Sequence, residues 1–187
     1  MSNKKVSVKL SSFALCSIIY LVLPVVIFLF GFLKIYLAVP FAAACVVSAY
    51  LYIKDLNKDS LKNSLKDTEV SVDLSYLVIA GIVVLLYTII AGIGEFTWST
   101  IDHRVRWVIL KDLIDYKWPV IYDFKTQENP LVREILGEGS AAFGYYFTFW
   151  MVPALIGKVF GLMAARVSLV VWSAVGIYLI LLGIGLW

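Results

Sequence analysis

Charge is scarce in this sequence: only 16% of its 187 residues are Asp, Glu, Lys or Arg, against about 25% in an ordinary soluble domain. With 61% of the chain hydrophobic and a mean hydropathy of +0.90, a water-soluble globule is excluded. Histidine occurs once, at His103, and no Cys-x-x-Cys is present, so a multi-His or multi-Cys metal centre cannot be built. The two cysteines, Cys16 and Cys45, fall inside apolar runs and read as small hydrophobes rather than disulfide partners. An excess of base is also lacking. Sixteen Lys/Arg against 13 Asp/Glu leave a formal charge of +3, too little to suggest nucleic acid as a partner. There is no G-x-S-x-G, no H-E-x-x-H and no P-loop, and Gly92-Ile93-Gly94 does not make a nucleotide fingerprint. No apolar run carries the several acidic or basic groups that mark an ion path, which disfavours a transporter.

What the chain does have is long apolar runs, at roughly 10–33, 35–53, 74–94, 144–163 and 166–187. Backbone N–H and C=O groups in lipid must be paired internally, so such runs are helices or close a barrel. Continuous apolarity without a period of two rejects the barrel. The expected fold is therefore an all-α integral membrane protein with about five transmembrane helices. Lys4, Lys5 and Lys9 precede the first run as in a signal peptide, but no small-residue cleavage pattern follows, which predicts a retained anchor.

The bases at the amino terminus, and Lys54, Lys58, Lys62 and Lys66 after the second run, place both segments in the cytoplasm of a multi-pass cell-membrane protein. Residues 1–94 then hold three spans with a linker over about 54–73, read as solvated or as a short interfacial helix around Leu61 and Leu65. Residues 95–143 form a long extracytoplasmic loop, with six Lys/Arg and eight Asp/Glu. Residues 144–187 form a transmembrane hairpin, with Arg166 in its inner turn and Lys158 snorkelling towards that turn. The stop at Trp187 inside an apolar run predicts an amino-terminal part of a larger multispanning protein, inactive by itself.

A loop of this length generally has a job, and its aromatics, Trp98, Trp107, Trp118, Tyr116, Tyr122, Phe124 and Phe143, want a packed or interfacial site. From Asp102 to Tyr116, helical periodicity gathers Val105, Ile109, Leu113 and Tyr116 on one side and Arg104, Lys111 and Asp115 opposite. The pattern predicts an amphipathic surface helix that Asp102 caps and Trp118-Pro119 ends. Asp102 and Arg106 are four apart and project nearer the apolar side. Two readings stay open: a cap paired with Arg106, or a carboxylate acting as base or metal ligand beside a guanidinium that binds phosphate. His103 reads as a hydrogen-bonding surface group, and Glu95 as a solvated boundary residue.

Gly92-Ile93-Gly94-Glu95-Phe96-Thr97-Trp98-Ser99, Asp102-His103-Arg104, Ile109 to Ile114, Trp118 to Tyr122, Tyr145-Tyr146-Phe147 and Pro153 to Lys158 together carry a resemblance. In order and spacing, this run over residues 90–165 resembles bacterial multispanning glycosyltransferases of the GT-C type. The resemblance implies transfer of a sugar from a polyprenyl-phosphate carrier to a cell-surface glycan or other acceptor. It implies Asp102 as general base or near-metal group, leaving a divalent metal open, and Arg106 as the matching basic residue; Arg104, which could equally supply the charge for a phosphate, and His103 are further substrate-binding candidates on the same helix. Trp107 stands where such proteins often carry asparagine. The other class of function open to the sequence is a non-catalytic membrane scaffold or assembly subunit, in which the loop helix is a docking surface.

Overall fold

The computed structural model describes residues 5–56, 69–98, 100–124, 130–136 and 139–186. The middle of the expected linker, with Leu61, Leu65, Lys58, Lys62 and Lys66, lies outside the described residues. Strand β1 (Lys5–Lys9) runs directly into helix α1 (Leu10–Phe32), which is followed by α2 (Ile35–Leu56). Strand β2 (Glu69–Asp73) likewise runs directly into α3 (Leu74–Ile90). A 3-10 turn (Ile93–Glu95) precedes α4 (Ile101–Asp115), after which β3 (Ile121–Asp123), α5 (Pro130–Leu136) and β4 (Ser140–Ala142) follow. A second 3-10 turn (Thr148–Trp150) opens α6 (Met151–Phe160), and α7 (Leu162–Leu186) completes the described chain.

Helix dominates, and three helical stretches are long and apolar enough to cross a membrane: Ser11–Phe32, Ile35–Asp55 and Leu162–Gly185. By that measure the chain is a membrane protein. The other two expected spans are shorter. α3 has 17 residues, about 25 Å against a hydrocarbon core of roughly 30 Å. It stops because Gly92 and Gly94 take positive φ of 82° and 78°, which ends the helical path before residue 94. In place of a span over 144–163 there is the ten-residue α6, about 15 Å long. α6 ends at Gly161, whose φ of 86° reverses the chain into α7.

Two short antiparallel ribbons accompany the helices. In the first, Lys5, Ser7 and Lys9 stand in register with Asp73, Ser71 and Glu69, while Val6 and Val8 stand opposite Val72 and Val70. Strand periodicity puts the valines on one face and the polar residues on the other. The burial of β1 follows suit: Val6 and Val8 are half-buried, and Lys5, Ser7 and Lys9 exposed. The ribbon thus joins the starts of α1 and α3 at one end of the molecule. The second ribbon, β3 with β4, pairs Ile121, Tyr122 and Asp123 with Ala142, Ala141 and Ser140.

α7 is the spine. It packs antiparallel to α1, with Tyr20 stacked on Trp172 at 4.3 Å and donating to the Trp172 carbonyl at 3.2 Å. Close approach is possible because Gly176 faces the Tyr20 ring and Gly183 faces Phe13. α7 is antiparallel to α3 as well, where Tyr178 donates to the Leu77 carbonyl at 3.1 Å. α2 pairs with α1 through Leu29, Ala38 and Ala42, all buried. At the end away from the first ribbon, Phe28 and Phe32 of α1 meet Phe147, and Phe32 also meets Trp118. That aromatic contact joins the helical part to residues 100–150. The main core lies there, with Leu110, Leu113, Val120, Met151 and Ala154 fully buried.

Candidate functional site

The site grows from the turn after α3. Glu95 has a φ of 56°, so three of the four residues from Gly92 to Glu95 have left-handed backbone, and the turn needs an outside partner for its carbonyls. Arg166, from the first turns of α7, supplies it: Nε donates to the Gly94 carbonyl at 2.7 Å and a terminal nitrogen donates to the Glu95 carbonyl at 2.5 Å. The same guanidinium lies 4.8 Å from the Phe96 ring and 5.4 Å from the Trp107 ring. Arg166 is therefore not in a turn remote from residues 95–143, as expected from charge counting. It sits inside α7, locked to the beginning of that segment.

Lys158 corrects the same expectation. It donates to the carbonyls of Ile114 and Tyr116, at 3.0 and 2.5 Å, and lies 5.0 Å from the Trp118 ring. A cation is thus placed on the orphan carbonyls and negative dipole end of α4, so the α6–α7 reversal lies on the side of the loop segment. Gly157 makes this contact close, because a Cβ there would stand 2.7 Å from Ile114. Lys158→Met is expected to lower stability by about 0.3–1 kcal/mol, the contribution of an exposed cation at a helix C-terminus. Thermal unfolding in detergent micelles measures it; an unchanged midpoint would show that water replaces the ammonium.

α4 exists over Ile101–Asp115, ending just ahead of Trp118–Pro119, but its cap and buried face differ from the expectation. Thr100 is the N-cap and makes no side-chain cap hydrogen bond, whereas Asp102 sits inside the first turn, where a carboxylate favours the positive dipole end. Ile109, Leu110 and Leu113 are buried and Trp107 and Ile114 half-buried, while Val105 and Tyr116 are exposed. The stripe has rotated by roughly one residue from the expected one, because α6 approaches from the side of Leu110 and Ile114 rather than Val105. Its far end is held by Tyr122, which donates to Asp112 Oδ2 at 2.5 Å, and by Trp118 Nε1, which donates to the Leu113 carbonyl at 2.8 Å. Burial, followed by the Asp112 carboxylate, pushes the Tyr122 phenol well above its ordinary range and keeps it protonated as that donor.

The rotation brings Arg106 to the rim of a cavity of about 620 Å³. Its walls come from α1, α7, the turn at Gly92–Glu95, α4 and the aromatics Phe149 and Trp150. Glu95 and Arg106 are its charged lining residues, and both belong to the loop-side end. Away from them the lining continues through Leu169, Ser173 and Gly176 to Gly183 and Phe13. Along α7 this is a stretch on the order of 20 Å. Ser17 and Ser173 on the lining satisfy their hydroxyls on their own helices, at the carbonyls of Phe13 and Leu169, which leaves the wall effectively apolar.

Of the expected site residues whose side chains are described, Arg106 lines this cavity and Asp102 and Arg104 do not. Asp102 and Arg104 are exposed on α4, and the side chain of His103 lies outside the described residues. The Tyr145 phenol is raised from its ordinary value, first by its hydrogen bond to Tyr146, with the Arg106 charge opposing the shift and the Asp102 charge adding to it. Glu95, read from sequence as a solvated boundary residue, is half-buried and lines the cavity. The glycines flanking Ile93 were the signal that could have turned it inward. Among the described residues no group of three His, Cys, Asp or Glu side chains comes together that could hold a metal ion. Comparison with protein-family models, curated proteins and solved structures finds no match for this chain.

Proposed function

We propose that the chain forms a membrane glycosyltransferase, or the amino-terminal part of one, that takes a sugar from a polyprenyl-phosphate carrier and passes it to a glycan or other acceptor outside the cell membrane. The observation that carries this reading is the cavity: apolar for most of its length, with its charged lining, the Arg106 guanidinium and the Glu95 carboxylate, gathered at the loop-side end. A lipid with a single anionic head matches that distribution, the chain against α1 and α7 and the phosphate on the guanidinium fork. In the reaction, an acceptor hydroxyl oxygen bonds to the anomeric carbon, and the bond from that carbon to the phosphate oxygen breaks. The proton passes to Asp102, and polyprenyl phosphate leaves with its negative charge held by Arg106. Arg104 and His103 stand on the same first turns of α4 as further substrate-binding candidates. The amino terminus and first ribbon are cytoplasmic in this reading, and residues 95–143 face outward.

The scaffold reading draws on a different observation, the exposure of Asp102 outside the cavity lining. Native mass spectrometry of the protein in micelles, with a polyprenyl phosphate and the corresponding polyprenol, separates the two. The phosphate is expected to bind at least about tenfold more tightly, and Arg106→Gln to remove that preference. Equal binding of phosphate and alcohol by the unaltered protein overturns the glycosyltransferase reading.

A further inference from the structure

Beside the cavity rim stands an aromatic pair that neither the lipid chain nor the phosphate accounts for. Tyr145 and Tyr146 stack with ring centroids 4.0 Å apart and an interplanar angle of 26°. Side chains of this size normally bury themselves, yet Tyr146 is 70% exposed and Tyr145 40%. Their hydroxyls are joined, Tyr145 donating to Tyr146 at 2.7 Å. That bond leaves the Tyr146 proton free to be given away and makes it a better donor. Tyr146 also lies 6.4 Å from Trp150, a cavity-lining residue. The pair is thus continuous with the wall of the cavity that Arg106 also lines.

From this placement we infer that Tyr145 and Tyr146 are the platform for a pyranose ring, an assignment that deepens the lipid-linked-sugar reading above and rests on it. A sugar ring has an apolar C–H face and a rim of hydroxyls. An exposed aromatic body ending in a phenol presents the complementary pair of features. A hexose attached to a phosphate on Arg106 would come to lie at this edge of the cavity, beside Trp150 and the tyrosine pair. Tyr146 contributes the face and the donor; Tyr145 orients and polarises that donor.

The test uses two probes on the full chain in lipid nanodiscs. Saturation-transfer NMR with a panel of methyl pyranosides reads the platform without any lipid phosphate, and binding of a sugar-free polyprenyl phosphate reads the cavity. The unaltered protein is expected to transfer saturation to at least one pyranoside. Tyr146→Ala should lower that signal about tenfold and Tyr146→Trp should keep it, with affinity for the polyprenyl phosphate unchanged in both variants. Transfer to no pyranoside in the panel, or an equal signal from Tyr146→Ala, overturns the platform. Weaker polyprenyl-phosphate binding by Tyr146→Ala also overturns it, because the pair would then only shape the rim. If the unaltered protein binds no polyprenyl phosphate but keeps a Tyr146-dependent pyranoside signal, the platform stands and the lipid-carrier reading fails.

Discussion

Gly94→Val is expected to destabilise the protein by more than about 3 kcal/mol, the sum of left-handed backbone strain and overpacking. Gly94 has a φ of 78°, which a β-branched residue adopts only under strain. A Cβ built there stands 2.7 Å from a Val170 methyl carbon and 2.9 Å from both the Arg166 carbonyl oxygen and the Phe96 ring. None of these can withdraw cheaply. Val170 and Arg166 belong to α7, and Phe96 lies against the Arg166 guanidinium. Moving them breaks the hydrogen bonds by which Arg166 holds Gly94 and Glu95, so the damage spreads to the cavity rim. Thermal unfolding in micelles should show a large drop for Gly94→Val and almost none for Gly139→Val, whose Cβ meets nothing within 4 Å. Equal midpoints for the two variants would mean that the 92–95 turn is not part of the folded core.

The same turn shows what the sequence makes legible and what it does not. Apolar runs of sufficient length announce α1, α2 and α7, because crossing the hydrocarbon requires length and composition above all. The run over 144–163 misleads, since apolarity reports burial and does not distinguish lipid from a protein core. Pro153, Ala154 and Gly157 are buried against protein, and a ten-residue helix suffices. The first ribbon was written in the sequence as Lys5-Val6-Ser7-Val8-Lys9 and Glu69-Val70-Ser71-Val72-Asp73, two alternating pentapeptides of opposite charge, each followed by an apolar helix. The reading of Lys5 and Lys9 as topology signals obscured it. On α4, periodicity locates the helix but cannot fix the buried face to within one residue, because Val105, Leu110 and Ile114 are equally apolar. That rotation turns Arg106 to the cavity and leaves Asp102 exposed, outside its lining. Glu95 enters the cavity lining through the turn at Gly92 and Gly94, which long-range hydrogen bonds from Arg166 hold in place.

In the proposed reaction, Asp102→Asn is expected to lower sugar transfer by 10²–10⁴-fold, about the contribution of a positioned general base. Binding of the polyprenyl phosphate should stay within about twofold, because Arg106, not Asp102, lines the cavity. The change removes the proton acceptor while keeping size and hydrogen-bonding reach. Asp102 is exposed, so the fold loses little beyond the charge at the start of α4, about 0.3–1 kcal/mol. Glu95→Gln is the decisive comparison, since Glu95 is the carboxylate that does line the cavity. Asp102 is open to an acceptor that approaches from water, whereas Glu95 is half-buried in the turn that Arg166 holds. Transfer by Glu95→Gln should therefore stay within about tenfold of the unaltered protein. Measured in membranes with a radiolabelled polyprenyl-phosphate sugar, the reverse ranking would move the base from α4 to the 92–95 turn. If neither substitution changed transfer, no carboxylate at the rim would take the proton, and α4 would be left as a docking surface.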